Sequence, residues 1–271
     1  NPSISSPSNI PIYGEIIIAR WAYEALAVHQ FKHNSYETNF YAFDEAMSIS
    51  DYKRNYWLKT LQNKVDLCER QMNNPTRSED VKMAVALLKN EIIREMTASS
   101  SSGIPFKQVN HLSVKNLDKE LLTDVKSYLE QLRRYYMKLY NKATDEKDRL
   151  INQLQQTEQA REAFIALKRS HYNESLAEFV RNSGEVERII EYKQTLIQKV
   201  DPIFLLPDSK VLRAHFYAPK KQLFGIYFET YWVNIIIIWL SSLGLYVLLY
   251  YRVFKRLLDI SDNIGSKNTF D

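Results

Sequence analysis

The longest uninterrupted apolar stretch is residues 230–251, TYWVNIIIIWLSSLGLYVLLYY, which holds no charged residue. Wound as a helix at ~1.5 Å per residue it extends about 33 Å, enough to cross a hydrocarbon core about 30 Å thick. Tyr231 and Trp232 stand at one end and Tyr250 and Tyr251 at the other, where amphipathic rings favour the headgroup level. Arg252, Lys255 and Arg256 follow at once. A buried core helix seldom runs this long without a polar face, so the pattern predicts one membrane-spanning helix. Within it, Asn234, Ser241, Ser242 and Gly244 are the small or polar exceptions and predict a face that packs against other helices. Asn234 is expected to face protein or a water-filled path, because lipid would leave its amide unpaired.

Upstream, the apolar positions recur at helical spacing. In residues 12–31, IYGEIIIARWAYEALAVHQF, a stripe of Ile17, Trp21, Ala25 and Val28 is flanked by Ile18, Ala22 and Leu26. Glu15, Arg20 and Glu24 interrupt it at one-turn intervals. The segment therefore cannot cross lipid unaided and fits an interface or a groove between spanning helices. A second helix is expected from Ser48, with Ser48, Ser50 or Asp51 as its cap and Leu61, Val65, Cys68 and Met72 as its stripe. Asn73-Asn74-Pro75 breaks it. Thr76 with Glu79 fits a capping box for a third helix, whose stripe is Val81, Val85, Leu88 and Ile92, so the two helices should form an antiparallel hairpin.

After the linker-like residues 98–105, ASSSSGIP, a near-heptad seam runs through Leu117, Leu121, Val125, Tyr128, Leu132, Tyr135 and Leu139. Leu150, Leu154, Ala163, Phe164 and Leu167 extend it less regularly. Residues 141–149, NKATDEKDR, are polar all round and read as a solvated surface or the tip of a long hairpin; a coiled-coil dimer through the seam stays open. Residues 185–200 are expected to form one more helix, closed by Asp201-Pro202. Pro202, Pro207 and Pro219 then punctuate a connector leading to the span.

Composition sharpens this reading. Among 271 residues there are 6 Gly and 8 Pro, and 25% of positions are charged, which favours helix over sheet. The 36 Lys and Arg nearly balance the 32 Asp and Glu, which gives no basic footprint for nucleic acid. The mixed basic and aromatic run Arg133, Arg134, Tyr135, Tyr136, Lys138, Tyr140 and Lys142 overlaps the apolar seam and reads as helix packing. A lone cysteine, Cys68, excludes an intrachain disulfide and reads as a small core residue. Lys210, Arg213, Lys220 and Lys221 precede the span, and Arg252, Lys255, Arg256 and Lys267 follow it. The count is a tie, and only the closer spacing of the second group favours a cytoplasmic C-terminus.

Candidate chemistry is sparse. His29, His33 and Glu37, spaced by four, would place potential metal ligands on one helical face. A zinc site needs further fixed partners that the sequence does not identify, so the pattern reads as a solvated face and no metal site is assigned. There is no Walker A loop and no nucleophile–base or paired-carboxylate constellation, so no catalytic residue is assigned and the segment itself is not an enzyme.

The run Arg20-Trp21-Ala22-Tyr23-Glu24-Ala25-Leu26, closing with His29-Gln30-Phe31, resembles the segment after the fifth membrane helix of White-type (ABCG) ABC transporters. Those proteins carry an Arg-aromatic-small-aromatic-x-Ala-Leu run ending in Asn-Glu-Phe, then an external region, a last span containing Gly, and a short basic tail. Here the order is similar, with Gly244 in the span. Gln30 stands where the family usually has Glu and His29 where it often has Asn, and the external region is long, helical and without disulfides, as in a bacterial relative with an enlarged extracytoplasmic domain. The resemblance implies a nucleotide-binding domain and five spans upstream of Asn1, with ATP and Mg bound there and no cofactor in this segment.

The expected architecture is mainly α. Residues 1–40 form an extended segment and a re-entrant helix, 41–205 an extracytoplasmic helical domain of hairpins or a bundle, 206–229 a pre-membrane connector, 230–251 the transmembrane helix, and 252–271 a cytoplasmic tail. The function implied is the last part of an ATP-driven exporter's membrane domain. It would sit in a cell's inner membrane as part of a multi-pass protein. The other transmembrane helices, a second permease half and a periplasmic protein would be its partners, with no role for nucleic acid. The competing reading is a tail-anchored helical scaffold or tether with a cytosolic bundle.

Overall fold

The computed structural model describes residues 10–72, 78–98, 102–207, 209 and 212–253. Within them the chain is mainly helical, with two short β-hairpins and one long apolar helix at the C-terminal end. The segment expected as a single helix over 12–31 is two, α1 (Ile12–Ile16) and α2 (Ile18–Lys32), separated by Ile17 in extended conformation. A helix end leaves carbonyls without partners, and here α2 supplies them. The Arg20 Nε donates to the Gly14 carbonyl at 2.9 Å and the Trp21 Nε1 to the Glu15 carbonyl at 2.8 Å. The buried residues of α2 are Trp21, Glu24, Ala25, Ala27, Val28 and Phe31. Trp21, Ala25 and Val28 thus hold the expected stripe, while Ile17 and Leu26 lie exposed.

The second helix begins earlier than its polar residues imply. Asn34 Oδ1 accepts from the Tyr36 and Glu37 amides, a one-turn 3-10 helix (Glu37–Asn39) follows, and α3 (Tyr41–Tyr52) runs on through a π turn (Lys53–Trp57) into α4 (Leu58–Arg70). Ser48, Ser50 and Asp51 therefore cap nothing. Ser48 Oγ donates to Asp201 Oδ2 at 2.7 Å, and Asp51 accepts from Arg54 and Asn55 within the same helix. A π turn inserts one residue. Here it rephases the rod, so that α3 faces the later elements while Leu58, Leu61, Val65 and Cys68 of α4 turn to a different neighbour.

That neighbour is α5 (Glu79–Thr97), which bears Val81, Val85, Leu88 and Ile92 in the core as expected. The pairs Gln71 with Ser78, Trp57 with Glu91 and Lys53 with Glu95 run in opposite order along the two helices, which makes the hairpin antiparallel. Residues 73–77, including Thr76 of the expected capping box, lie outside the described residues, as do 99–101 of the linker.

The helix α6 (Lys119–Leu154) is 36 residues long, and Asp118 caps it by accepting from the Leu121 amide at 2.7 Å. Leu117, Leu121, Val125, Tyr128 and Leu132 are buried, but then Tyr136 and Ala143 take the inner face instead of Tyr135 and Leu139. A straight α-helix drifts about 20° per heptad against a 3.5 repeat, and α6 also changes partner here, from α4 to α3. The polar stretch 141–149 is not a hairpin tip. It continues the helix, with Lys147 paired to Asp44 of α3, and the chain turns only after Leu154. Two further helices follow, α7 (Glu158–His171) and α8 (Glu174–Arg181), capped by Thr157 and Asn173.

Residues 185–200 are not helical. They form β1 (Ile189–Tyr192) and β2 (Thr195–Gln198), antiparallel, with Ile190 opposite Ile197, across a tight turn in which Lys193 and Gln194 both have positive φ. Such turns normally carry Asn-Gly or a similar pair, and Lys-Gln gives no such signal. The hairpin is fixed to α5, where Glu91 Oε1 accepts from the Leu196 amide at 2.8 Å. A second hairpin, β3 (Lys220–Leu223) and β4 (Ile226–Glu229), turns through Phe224 and Gly225, both at positive φ, and leads directly into α9 (Thr230–Tyr250).

Two apolar clusters result. The larger joins α4, α5, the first half of α6 and Leu196 of β2; the smaller joins α2, Tyr41, α8, Ile203, Phe204 and Tyr217. The larger one forms a helical head. The smaller one lies between that head and the pairing of α2 with α9.

Candidate functional site

Helices α2 and α9 run antiparallel. Lys32 at the end of α2 meets Glu229 just before α9, His29 stacks on Tyr231 with ring centroids 4.3 Å apart, and Asn234 reaches back to Trp21 and Glu24. Their interface holds a charge cluster whose inner members are closed off from solvent and whose outer pair, Arg20 and Glu15, is partly exposed. Glu24, Asn234 and Thr230 are fully buried and Lys221 is 1% exposed. Glu24 Oε2 accepts from Lys221 Nζ at 2.7 Å, from Asn234 Nδ2 at 2.9 Å and from Arg20 NH1 at 3.1 Å. Arg20 is shared with Glu15, so two cations face two carboxylates.

Trp21 is clamped between these charges. The Arg20 guanidinium lies 3.9 Å from its ring centroid and Lys221 Nζ lies 4.1 Å away. Burial pushes the Lys221 ammonium below the ordinary lysine range, and the neighbouring Glu24 carboxylate opposes that shift. Thr230 anchors the turn into α9, its hydroxyl donating to the Ala218 carbonyl at 2.6 Å. Two acceptors, Glu24 Oε1 and Asn234 Oδ1, are buried without a partner among the described residues. One face of the cluster is thus unsatisfied, and an unpaired buried polar group costs about 1–3 kcal/mol.

The sequence-predicted residues divide clearly. Arg20, Trp21, Glu24 and Asn234 come together in this cluster; Ala25 and Phe31 are also buried, Phe31 against Tyr41 and Phe204. Tyr23 and Leu26 point outward, although Tyr23 stacks on Phe216 at 6.2 Å between centroids, and Gln30 is exposed. Ser241 is half-buried, Ser242 bonds back to the Ile238 carbonyl of its own helix, and a side chain added at Gly244 would meet open space. Lys221, the deepest cation among the described residues, is absent from the sequence-derived set because it reads there as one more flanking charge. Its only signal is a charged residue ahead of the alternating LFGIYF stretch.

The His29 and His33 rings lie 4.9 Å apart between centroids, tilted by 33°, but Glu37 turns away to a separate pocket of charges, so the three do not converge. Among the described residues no cluster of three or more His, Cys, Asp or Glu could hold a metal ion. Glu37 is 4% exposed and forms no ion pair among the described residues. Burial and then Asp44 push its carboxyl up to about 7 against the opposing pull of Lys147, Arg181 and Lys168.

Past Asn234, α9 is nearly bare. Trp239, Leu243 and Leu249 are 73%, 59% and 68% exposed, and the helix is long and apolar enough to cross a membrane. Comparison with known proteins finds no matching family model, curated protein or solved structure.

Proposed function

We propose that this chain is the C-terminal part of the membrane domain of an ATP-driven exporter of the White-type ABC class. In this reading α9 is the last transmembrane helix, α1 and α2 dip into the bilayer beside it, and the helical head stands outside the inner membrane. ATP and Mg are handled by a nucleotide-binding domain elsewhere in the same transporter, and the bare surface of α9 is shared between lipid on one flank and the other transmembrane helices or the second permease half on another. The head then serves as a docking site for a periplasmic partner.

One observation carries the reading. The helix α2 is inverted in part: Glu24 and Arg20 are turned inward and paired among the buried Trp21, Ala25 and Val28, while Leu26 and Tyr23 face outward at 65% and 48% exposure. In water the opposite arrangement is favoured, whereas in lipid ionisable groups face the protein interior and pair with one another. The inverted face belongs to the same residues 20–31 that resemble the family motif, and it lies against the helix expected to span.

The test uses the complete gene product in lipid nanodiscs. It should hydrolyse Mg-ATP, and Glu24→Ala, which unseats α9 from α2, should depress lipid-stimulated turnover while leaving nucleotide binding intact. A complete gene product with no ATPase activity overturns the proposal.

A further inference from the structure

The β3–β4 hairpin belongs to the stretch that reads in sequence as a mere connector, yet among the described residues it carries the most exposed large apolar side chain apart from Val186. Phe224 at its turn is 87% exposed, Ile226 is 62% and Phe228 is 43%. Ile226 and Phe228 alternate on one face of β4. Phe228 is directly opposite Lys221, so their side chains share that face. Yet Lys221 is buried against Glu24 and Trp21, while the two apolar residues one strand over stay open. This hairpin repeats the inversion seen in α2, with its charge toward protein and its apolar edge outward.

Its position is tied to α9. The Thr230 amide donates to the Pro219 carbonyl, its hydroxyl donates to Ala218, and Lys221 and Asn234 meet on the same Glu24 oxygen. The base of the hairpin therefore lies beside the first turns of α9, next to exposed Trp232. Aromatic residues concentrate at this depth at the end of a spanning helix.

We infer that the Phe224–Ile226–Phe228 edge is a lipid-contact surface, seated in the headgroup and upper acyl region of the leaflet that α9 enters. The occupant is membrane lipid, because the edge is continuous with the uncovered flank of α9. The inference rests on α9 spanning a bilayer but not on ATP-driven export. With an apolar wedge at its tip and Lys221 locked to Glu24 at its base, the hairpin holds the start of α9 at a fixed depth.

Phe224→Cys and, independently, Ile226→Cys are labelled with a nitrobenzoxadiazole fluorophore in the full-length protein. The protein is reconstituted in phosphatidylcholine–phosphatidylglycerol vesicles containing lipids spin-labelled at a shallow or a deep carbon. Buried Cys68 stays unlabelled, Leu240→Cys marks the span and Lys142→Cys marks the head. The expected result is quenching at 224 and 226 by the shallow lipid more than by the deep lipid or by iodide, strong lipid quenching at 240, and iodide quenching alone at 142. Lipid quenching at 240 with iodide quenching alone at 224 and 226 overturns the inference and leaves α9 a span. Shielding of 224 and 226 from both quenchers also overturns it, since protein then covers the edge. Loss of lipid quenching at 240 removes the spanning premise as well.

Discussion

Glu24 and Lys221 offer the sharpest energetic test of the cluster. Removing one partner of a buried pair strands the other charge and costs about 3–5 kcal/mol. The geometry says which loss is larger. Lys221→Met leaves the Glu24 carboxylate with two donors, Arg20 and Asn234, so about 2–3 kcal/mol is expected, at or just below the bottom of that range. Glu24→Ala leaves Lys221 1% exposed with its carboxylate gone and unseats Asn234, so about 4 kcal/mol is expected. The double variant removes both members and should cost little more than Glu24→Ala alone, a coupling of about 2 kcal/mol against an additive limit of about 0.5 kcal/mol. Unfolding of the full-length protein and the three variants in mixed micelles, followed by circular dichroism, gives the cycle. Additive losses would falsify the buried pair and with it the sealed interface between α2 and α9.

Other expectations concern the rest of the fold. Glu37 releases its proton near pH 7 when folded but near 4.5 ordinarily, so the folded chain holds more protons between those values and stability falls as pH rises through that window. The difference corresponds to about 3 kcal/mol, and about 2 kcal/mol after screening, so Glu37→Gln should stabilise by about 2 kcal/mol at pH 8 and by nothing at pH 4; a pH-independent effect contradicts this. Leu88→Ala in the α4–α5 core should cost about 2–5 kcal/mol in the same unfolding assay. Glu91→Ala frees the Trp57 indole and the Leu196 amide together, so it should accelerate hydrogen exchange across β1–β2 while leaving α2 and α9 protected.

The helical periodicity of residues 61–92 translated directly into structure, because two amphipathic stripes joined by a short turn have one good way to bury each other. The site was only half legible. Arg20, Trp21 and Glu24 stood out in the motif and Asn234 as a polar residue in the span, but Arg20 and Glu24 also read as interruptions of their helix, when the burial of Glu24 is what joins that helix to α9. A carboxylate's partner cannot be inferred from spacing when it lies 197 positions away, as Lys221 does. The same residue shows why the count of flanking charges ties. Lys221 is buried and consumed by Glu24, so it does not act as an exposed flanking charge, whereas Arg213 stays exposed. The β1–β2 hairpin was missed because its turn uses Lys193 and Gln194 in a backbone region where glycine or asparagine is the usual marker.

The central claim is topological, that α9 crosses the bilayer and leaves the helical head outside. Its most direct measurement is labelling of Lys142→Cys, at an exposed position of α6, with a membrane-impermeant maleimide in cells whose outer barrier has been opened but whose inner membrane is intact. The account predicts full labelling before detergent is added. Labelling that appears only after the inner membrane is dissolved would put the head in the cytoplasm and contradict it.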